Sequence, residues 1–571
     1  MNIKIAQLNY TAGDINGNVD KMLKVVSECE DTDLLVFSEM SLTGYPIWDS
    51  MLLPDFTSNV AKAEARFAKE SAKLAPGTTI VIGSMRDNKE LYGKPYFNDA
   101  VVFRDGNVIL RYSKELIPTY NIFDESRHFE SGYALGKSNN RYFKVGDTVV
   151  ALFICEDLWG DKEGIYSTVP TDNINPVTDL IISLNASPSC VGRSKERYDV
   201  VSRIANKYET CIVYVNQVGA TDDLVFDGGS FICEPDRFGA FAQVYSYFTE
   251  SVNEVVFDSS TKQFVILGGG TGNRELSTLD TLYNNSVIGT RDYVRKSGFE
   301  KVVVGCSGGV DSAIVLALAV DALGPENVIA VTMPSEYSSE GSVSDSVTLC
   351  NNLGIELHEA PIAGTFNALN GQFNDTFKQD SFDVTQENMQ SRIRAMILLA
   401  FTNRFNALLL TTGNKSEISV GYCTIYGDMS GAINPIGDMY KTDVFDLCRY
   451  YNDVIHGEEI IPLTIIDKAP SAELRPDQVD SDSLPDYPVL DAIIKWYTES
   501  YMMTDIEVIE LKRIIDTIDI NETNRICRLI KNNEFKRKQA PPIIRCQKRS
   551  FGRGWEMPLA QNYNVIYTGL K

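Results

Sequence analysis

Histidine is nearly missing from this chain. Among 571 residues there are three, His128, His358 and His456, and none belongs to an HExxH pattern. A zinc hydrolase of that type is excluded, and Ser-His-Asp or Cys-His catalysis is poorly supplied, so acid–base work falls to carboxylates and lysines. Positive charge is also short: 53 Lys and Arg against 77 Asp and Glu leave a formal charge of −24. That is the wrong sign for a nucleic-acid or anionic-membrane surface and reads most simply as solubility. No stretch approaches the ~18 apolar residues of a membrane helix. The opening MNIKIAQLNY alternates like a strand and lacks the apolar core of a signal peptide. Eleven cysteines form no CxxC pair, which fits reduced thiols in the cytosol better than a disulfide frame or zinc site.

What is present is a 44% apolar chain, enough for sizeable cores, and a length that suggests two to four domains. Residues 1–257 carry short strand-like runs such as IKIAQLNY, DLLVFSEM, TTIVIGSM, TVVALFICED and DLIISLNASP, with helix-like segments between some of them. This alternation predicts a layered α/β domain with buried strands. The glycine-rich VILGGGTGNRELSTLD marks a linker over 258–280. From 281 to 571 the pattern becomes helix, strand KVVVG, loop, helix SAIVLALAVDALG and strand NVIAVTMP. That order predicts a doubly wound, Rossmann-like parallel sheet followed by a helical C-terminal region.

The loop between KVVVG and its helix reads Ser307-Gly308-Gly309-Val310-Asp311-Ser312. It satisfies neither GxxxxGK[ST] nor GxGxxG. Its glycines allow close backbone approach to a ligand, and the following helix offers unpaired N–H groups to an anion. Asp311 repels phosphate directly but can hold Mg²⁺ that bridges to phosphate oxygens. A bland reading remains, in which Asp311 or Ser312 simply caps the helix.

SGGxDS after a strand resembles the pyrophosphatase loop of ATP-dependent adenylating enzymes. Within that group, TQENMQSRIRAMIL (385–398), LLLTTGNKSEISVGYCTIYGDMSGAINPIGDMYKTDV (408–444), PSAELRPDQVDSDSLPDY (470–487) and FKRKQAPP (535–542) resemble NAD synthetases. The resemblance implies that Gly305, Cys306, Ser307, Gly308, Gly309, Val310, Asp311, Ser312 and Thr412 contact ATP. It also implies that Asn388, Glu417, Tyr422, Cys423, Thr424, Ile425 and Lys536 bind deamido-NAD (nicotinate adenine dinucleotide), and that Asp311 and Glu417 are Mg²⁺ ligands. For Lys415, Asp428 and Lys441 surface charge and a site role stay equally open.

An amide-forming ligase needs ammonia, and the first half has parts for releasing it. Glu39 in LLVFSEMSLTGYP, Lys114 in RYSKELIPTYNIFDESRHF and Cys155 in VVALFICEDLWG stand at strand ends. They resemble the nitrilase-type amidase triad, which implies an α-β-β-α sandwich fold. TGY, ICEDLW and YVNQVGATDDLVFDGGS resemble the glutaminase domain fused to NAD synthetases. Cys155 has to attack as a thiolate, and Lys114 is expected to lower its pKa and hold the oxyanion. Glu39 is the expected general base, and Glu125 orients Lys114 or assists the water. By resemblance Tyr120, Ser187 and Arg193 recognise glutamine. An arginine suits its α-carboxylate because it can form two parallel hydrogen bonds. Ser189 and Ala220 depart from the family pattern.

Other enzymes share the loop. Asparagine synthetases use an N-terminal cysteine, but position 2 is Asn2. GMP synthetases use a Cys-His-Glu glutaminase, which three scattered histidines do not supply, and the acidity disfavours tRNA thiolation. A glutamine- or nucleotide-sensing scaffold without turnover is disfavoured by Cys155, Lys114, Glu39 and Asp311 occurring together. The resemblance further implies small-molecule substrates and a homo-oligomer with synthetase halves paired.

Overall fold

A computed structural model describes residues 1–570 except 91, 161–164, 237–240, 266–274, 379–381 and 477. Part of the expected 258–280 linker therefore lies outside the described residues. The chain divides into two units, Met1–Ser277 and Thr278–Lys571.

Alternation along the strands builds the first unit. In Thr148–Ile154, Val150, Leu152 and Ile154 face one core while Ala151 and Phe153 face another. This is the period-two pattern of a strand buried on both sides. Two sheets result. A seven-stranded sheet runs 263–265, 251–258, 2–7, 34–36, 79–87, 96–104, 107–113. A six-stranded sheet runs 241–244, 231–234, 211–216, 180–185, 148–154, 142–145. Their inner faces share a core that includes Ile5, Val36, Val81, Leu152, Ile182 and Val213. Helices Ile15–Val26 and Phe56–Leu74 cover the outer face of the first sheet through Val19, Met22, Val60 and Phe67. Helix Arg193–Tyr208 covers the second through Val201, Ile204 and Ala205. This is an α-β-β-α sandwich. The strand Gln263–Val265 pairs with Ser251–Asp258, so the first sheet extends past residue 257.

The second unit is organised on four parallel strands in the order Glu356–Glu359, Val328–Thr332, Lys301–Gly305, Ala407–Leu410. The chain moves outward one way from Lys301–Gly305 and then returns to its other side. The carboxyl ends of Lys301–Gly305 and Ala407–Leu410 therefore flank a topological switch point, where open α/β sheets bind ligands. Helix Val310–Leu323, which follows the glycine loop, is almost wholly buried.

Candidate active sites

In the first unit, Glu39, Lys114 and Cys155 follow strands Leu34–Val36, Asn107–Ser113 and Thr148–Ile154. Glu39 and Lys114 are each 1% exposed, a depth at which charges must be paired and hydrogen-bonded. Lys114 Nζ donates to Glu39 Oε1 at 2.8 Å and reaches both Glu125 carboxylate oxygens at 2.9 Å. Glu39 also accepts from Asn98 Nδ2 at 2.8 Å and from the Ala186 amide at 3.0 Å, and Glu125 accepts from Tyr45 Oη at 2.9 Å. Burial pushes the Glu125 carboxyl up to about 7, with the Lys114 charge opposing and the Glu39 charge adding. Burial alone would lower Lys114, yet Glu125 and Glu39 hold it well above its ordinary value. The Glu39 segment rests on Gly83, where a Cβ would fall 2.1 Å from the Met40 amide nitrogen and 2.5 Å from the Ser38 carbonyl oxygen.

Cys155 opens a tight turn, Cys155–Trp159, directly after its strand. It holds φ +44°, a left-handed conformation that costs a non-glycine residue roughly 1–3 kcal/mol. Burial, followed by the Glu39 charge, pushes its thiol well above the ordinary value despite an opposing pull from Lys114. Lys114 does pull the thiol down as expected, but burial and the Glu39 charge outweigh it. The ammonium is already shared by two carboxylates, which leaves too little net positive charge to offset burial.

Tyr120 enters this neighbourhood through Glu156, the residue after the cysteine. Tyr120 Oη and Tyr166 Oη both donate to Glu156 Oε1 at 2.9 Å, and the Arg193 charge acts on Tyr120. Arg193 starts helix Arg193–Tyr208, pairs with Glu196 at 3.1 Å and lies 5.4 Å over the Trp159 ring. The Ser187 hydroxyl accepts instead from Arg197 Nε at 3.0 Å, and Arg197 is anchored by Asp227 at 2.6 Å. Sequence reasoning missed Glu156, Asp157, Tyr166, Arg197 and Asp227. Glu156 and Asp157 lay inside ICEDLW; nothing local distinguished Arg197, one helical turn after Arg193. The Ser189 hydroxyl is buried without a hydrogen-bond partner.

In the second unit, Gly305 ends its strand, Cys306 is buried, and Ser307–Ser312 turns into the helix that begins at Val310. The turn ties itself together: the Ser312 hydroxyl donates to the Gly309 carbonyl at 2.9 Å and accepts from the Ser307 amide at 3.3 Å. Gly308 holds φ +73° against the start of helix Glu340–Leu353. A Cβ there would lie 2.3 Å from the Ser342 carbonyl oxygen, so glycine is required for both conformation and space. Thr412 follows Ala407–Leu410 on the neighbouring strand.

Asp311 accepts from Asn414 Nδ2 at 2.8 Å and pairs with Lys441, which also pairs with Glu417 at 3.1 Å. Burial raises the Glu417 carboxyl to about 8, with the Lys441 charge opposing. Two carboxylates thus meet at one cationic position. That donor set suits Mg²⁺, which takes one or two carboxylates together with phosphate oxygens and water. Lys415 and Lys441 are buried, whereas Asp428 is exposed, its carboxylate accepting from the Ser391 hydroxyl at 2.9 Å. Lys415 sits between Asp438 at 3.1 Å and Glu499 at 3.3 Å.

Of the residues expected to bind the acceptor, Tyr422, Cys423, Thr424 and Ile425 follow helix Lys415–Val420, which itself holds Glu417, and Asn388 and Lys536 reach the segment from other helices. The Thr424 hydroxyl bonds to Asn388 Oδ1 at 2.7 Å, and the Thr424 amide donates to Asp428 Oδ1 at 2.8 Å. Lys536 Nζ donates to the Gly421 and Cys423 carbonyls at 2.7 Å each. Gln478 reaches Tyr422 Oη at 3.2 Å, and Arg392 reaches the Ile425 carbonyl at 3.2 Å.

Comparison with known proteins places each unit. Residues 2–266 match the carbon-nitrogen hydrolase family and residues 282–540 match NAD synthase. The glutamine-dependent NAD(+) synthetase of Synechocystis sp. is 37% identical over 98% of this chain and 99% of its own length. That of Thermotoga maritima is 38% identical over 99% of both. The structure of glutamine-dependent NAD+ synthetase from Acinetobacter baumannii in complex with ADP is 34% identical and superposes with a TM-score of 0.74 over 98% of both chains. With both units matched and relatives 37–38% identical along nearly the whole chain, this chain belongs to the glutamine-dependent NAD(+) synthetases.

Proposed function

We propose that the chain converts glutamine, water, ATP and deamido-NAD to glutamate, AMP, pyrophosphate and NAD. Glutaminase chemistry falls to Met1–Ser277 and adenylation to Thr278–Lys571. The observation that carries the reading is Lys114, buried between Glu39 and Glu125 in the same electrostatic neighbourhood as Cys155.

Cys155 Sγ attacks the glutamine carboxamide while Glu39 takes the thiol proton and delivers it to the departing ammonia, leaving a thioester. Lys114 holds the developing oxyanion, and Glu125 orients Lys114. Water then attacks the thioester with Glu39 as base, releasing glutamate and restoring the thiol. Tyr120, Ser187 and Arg193 bind glutamine. Arg197 fixes Ser187, and the reading gives Arg193 the α-carboxylate because a guanidinium can form two parallel hydrogen bonds.

At the second site Gly305–Ser312 and Thr412 receive ATP, while Asn388, Tyr422–Ile425 and Lys536 receive deamido-NAD. The nicotinate carboxylate displaces pyrophosphate to form an acyl-adenylate, and ammonia displaces AMP from it to give the amide. Asp311 and Glu417 are the residues that would hold Mg²⁺, which neutralises phosphate charge when bound. Ammonia is carried within the protein from one site to the other, a reading that rests on the fusion of the two activities.

The chain works in the cytosol, in keeping with eleven unpaired cysteines. A second copy is its partner through the synthetase half, where Met396 and Leu399 of helix Val384–Phe405 are 57% and 45% exposed. Light scattering of Met396→Glu against the native chain tests that pairing. Cys155→Ala tests the chemistry: it should abolish glutamine-dependent NAD formation and leave ammonia-dependent formation intact. Retained glutamine use would overturn the assignment.

A further inference from the structure

Asp157, two residues after Cys155, is completely buried. Its carboxylate joins two segments that the reaction needs in register. Oδ2 accepts from the Ile154 amide at 3.0 Å, the residue just before the cysteine, and from Tyr112 Oη at 2.8 Å. Oδ1 accepts from the Glu115 and Leu116 amides at 3.0 and 2.9 Å, the two residues just after Lys114. Ile154 belongs to the six-stranded sheet, whereas Tyr112 and the Lys114 segment belong to the seven-stranded one. A single side chain thus clamps the turn that carries Cys155 to the strand end that carries Lys114.

The surroundings keep this clamp rigid. Asn139 pairs with the Ser113 backbone in both directions, at 2.8 and 2.9 Å. Arg141 binds Glu115 at 2.6 Å and lies over the Tyr112 and Phe153 rings at 5.0 and 4.7 Å. All four hydrogen bonds to Asp157 are donated by groups on these two segments, and none is spent on solvent. The tight turn needs such a constraint, because Cys155 itself sits at φ +44°.

We propose that Asp157 is a positioning residue for glutamine hydrolysis, one that sets the reach of Cys155 from Lys114 and Glu39 by bonding both backbones at once. The proposal rests on the assignment of Cys155 as nucleophile. In Asp157→Asn one carboxylate oxygen becomes an NH₂ group. Whichever way the amide turns, two donors face another donor. The nucleophile is displaced without removal of any group that touches glutamine.

The test measures Asp157→Asn and Tyr112→Phe in the full chain. Three quantities are read: kcat and KM for glutamine, NAD formation from ammonia, and the rate of Cys155 alkylation by iodoacetamide across pH. For Asp157→Asn we expect kcat to fall about 100-fold, the scale for a displacement of ~1 Å, with KM within about threefold. Ammonia-dependent synthesis should stay at the native level, and the pH profile of alkylation should shift. Tyr112→Phe, which removes one of the four donors, should lower kcat by about tenfold with the same KM pattern. It decides the matter alone if the asparagine variant does not fold. Native kcat in the folded variants, or a change confined to KM, would overturn the proposal. Failure of the native chain to hydrolyse glutamine would instead overturn the glutaminase assignment beneath it.

Discussion

Lys114 Nζ and Glu39 Oε1 lie 2.8 Å apart with both side chains withdrawn from water. The same ammonium also serves Glu125, so removing the lysine strands two carboxylates in the core. Breaking a buried pair in this way costs about 3–5 kcal/mol. Lys114→Ala should therefore lose glutamine hydrolysis and show a large drop in the denaturation midpoint of its unit. Glu39→Gln keeps an acceptor for the lysine but removes the base. It should lose activity by about 10²–10⁴-fold with a much smaller stability change, and equal stability losses in urea melts would contradict this division of roles.

The Cys155 environment makes a pH prediction. Burial and the Glu39 charge raise the thiol well above its ordinary value, so the protonated form prevails in the free protein at neutral pH. Iodoacetamide labelling of Cys155 should accelerate steadily from pH 7 to beyond 9, tracking the thiolate fraction. A rate that reaches a plateau below pH 7 would indicate a resting thiolate–lysine ion pair, and Glu39 would then not be needed to activate the thiol.

Gly83 makes a steric prediction far from Glu39 in sequence. A methyl group there collides with backbone on both sides of Glu39, and backbone cannot yield as a flexible side chain can. Gly83→Ala should lower glutamine turnover by at least about 100-fold, as expected when a catalytic group is misplaced by ~1 Å, while ammonia-dependent synthesis continues. Native turnover would mean that the Glu39 segment has slack that its packing does not reveal.

In the second unit, Asp311→Asn removes one of the two carboxylates beside Lys441. Synthesis from ammonia should fall steeply and require far more Mg²⁺, whereas Glu417→Gln should show the same direction at this site. Isothermal titration of Mg²⁺ with a non-hydrolysable ATP analogue reads this directly. Unchanged Mg²⁺ dependence in both variants would remove Asp311 and Glu417 as metal ligands.

Much of this arrangement was legible in the sequence. Period-two runs carried the layers, while Glu39, Lys114, Cys155 and the glycine loop were singled out by the resemblance of the strings around them to nitrilase-type amidases and NAD synthetases. Partners supplied from distant segments were not legible. Arg197 reaches Ser187, Asp157 reaches the Lys114 strand end, and Lys441 reaches Asp311 across 130 residues. Nothing in their immediate neighbours signals those contacts. Net electrostatics also escaped the sequence: Lys114 pulls the Cys155 thiol down as expected, but burial first and the Glu39 charge second outweigh that pull. The extension of the first sheet to Val265 was hidden by the glycine-rich stretch that follows it.

Supplying amide-¹⁵N glutamine with ATP, Mg²⁺ and deamido-NAD, in an excess of unlabelled ammonium, tests the central claim most directly. Mass analysis should find ¹⁵N in the NAD amide, together with AMP, pyrophosphate and glutamate in equal amounts. Glutamine hydrolysis with only unlabelled NAD, or with no NAD, would contradict the claim that nitrogen released at Cys155 is delivered within the protein to the nicotinate carboxyl group.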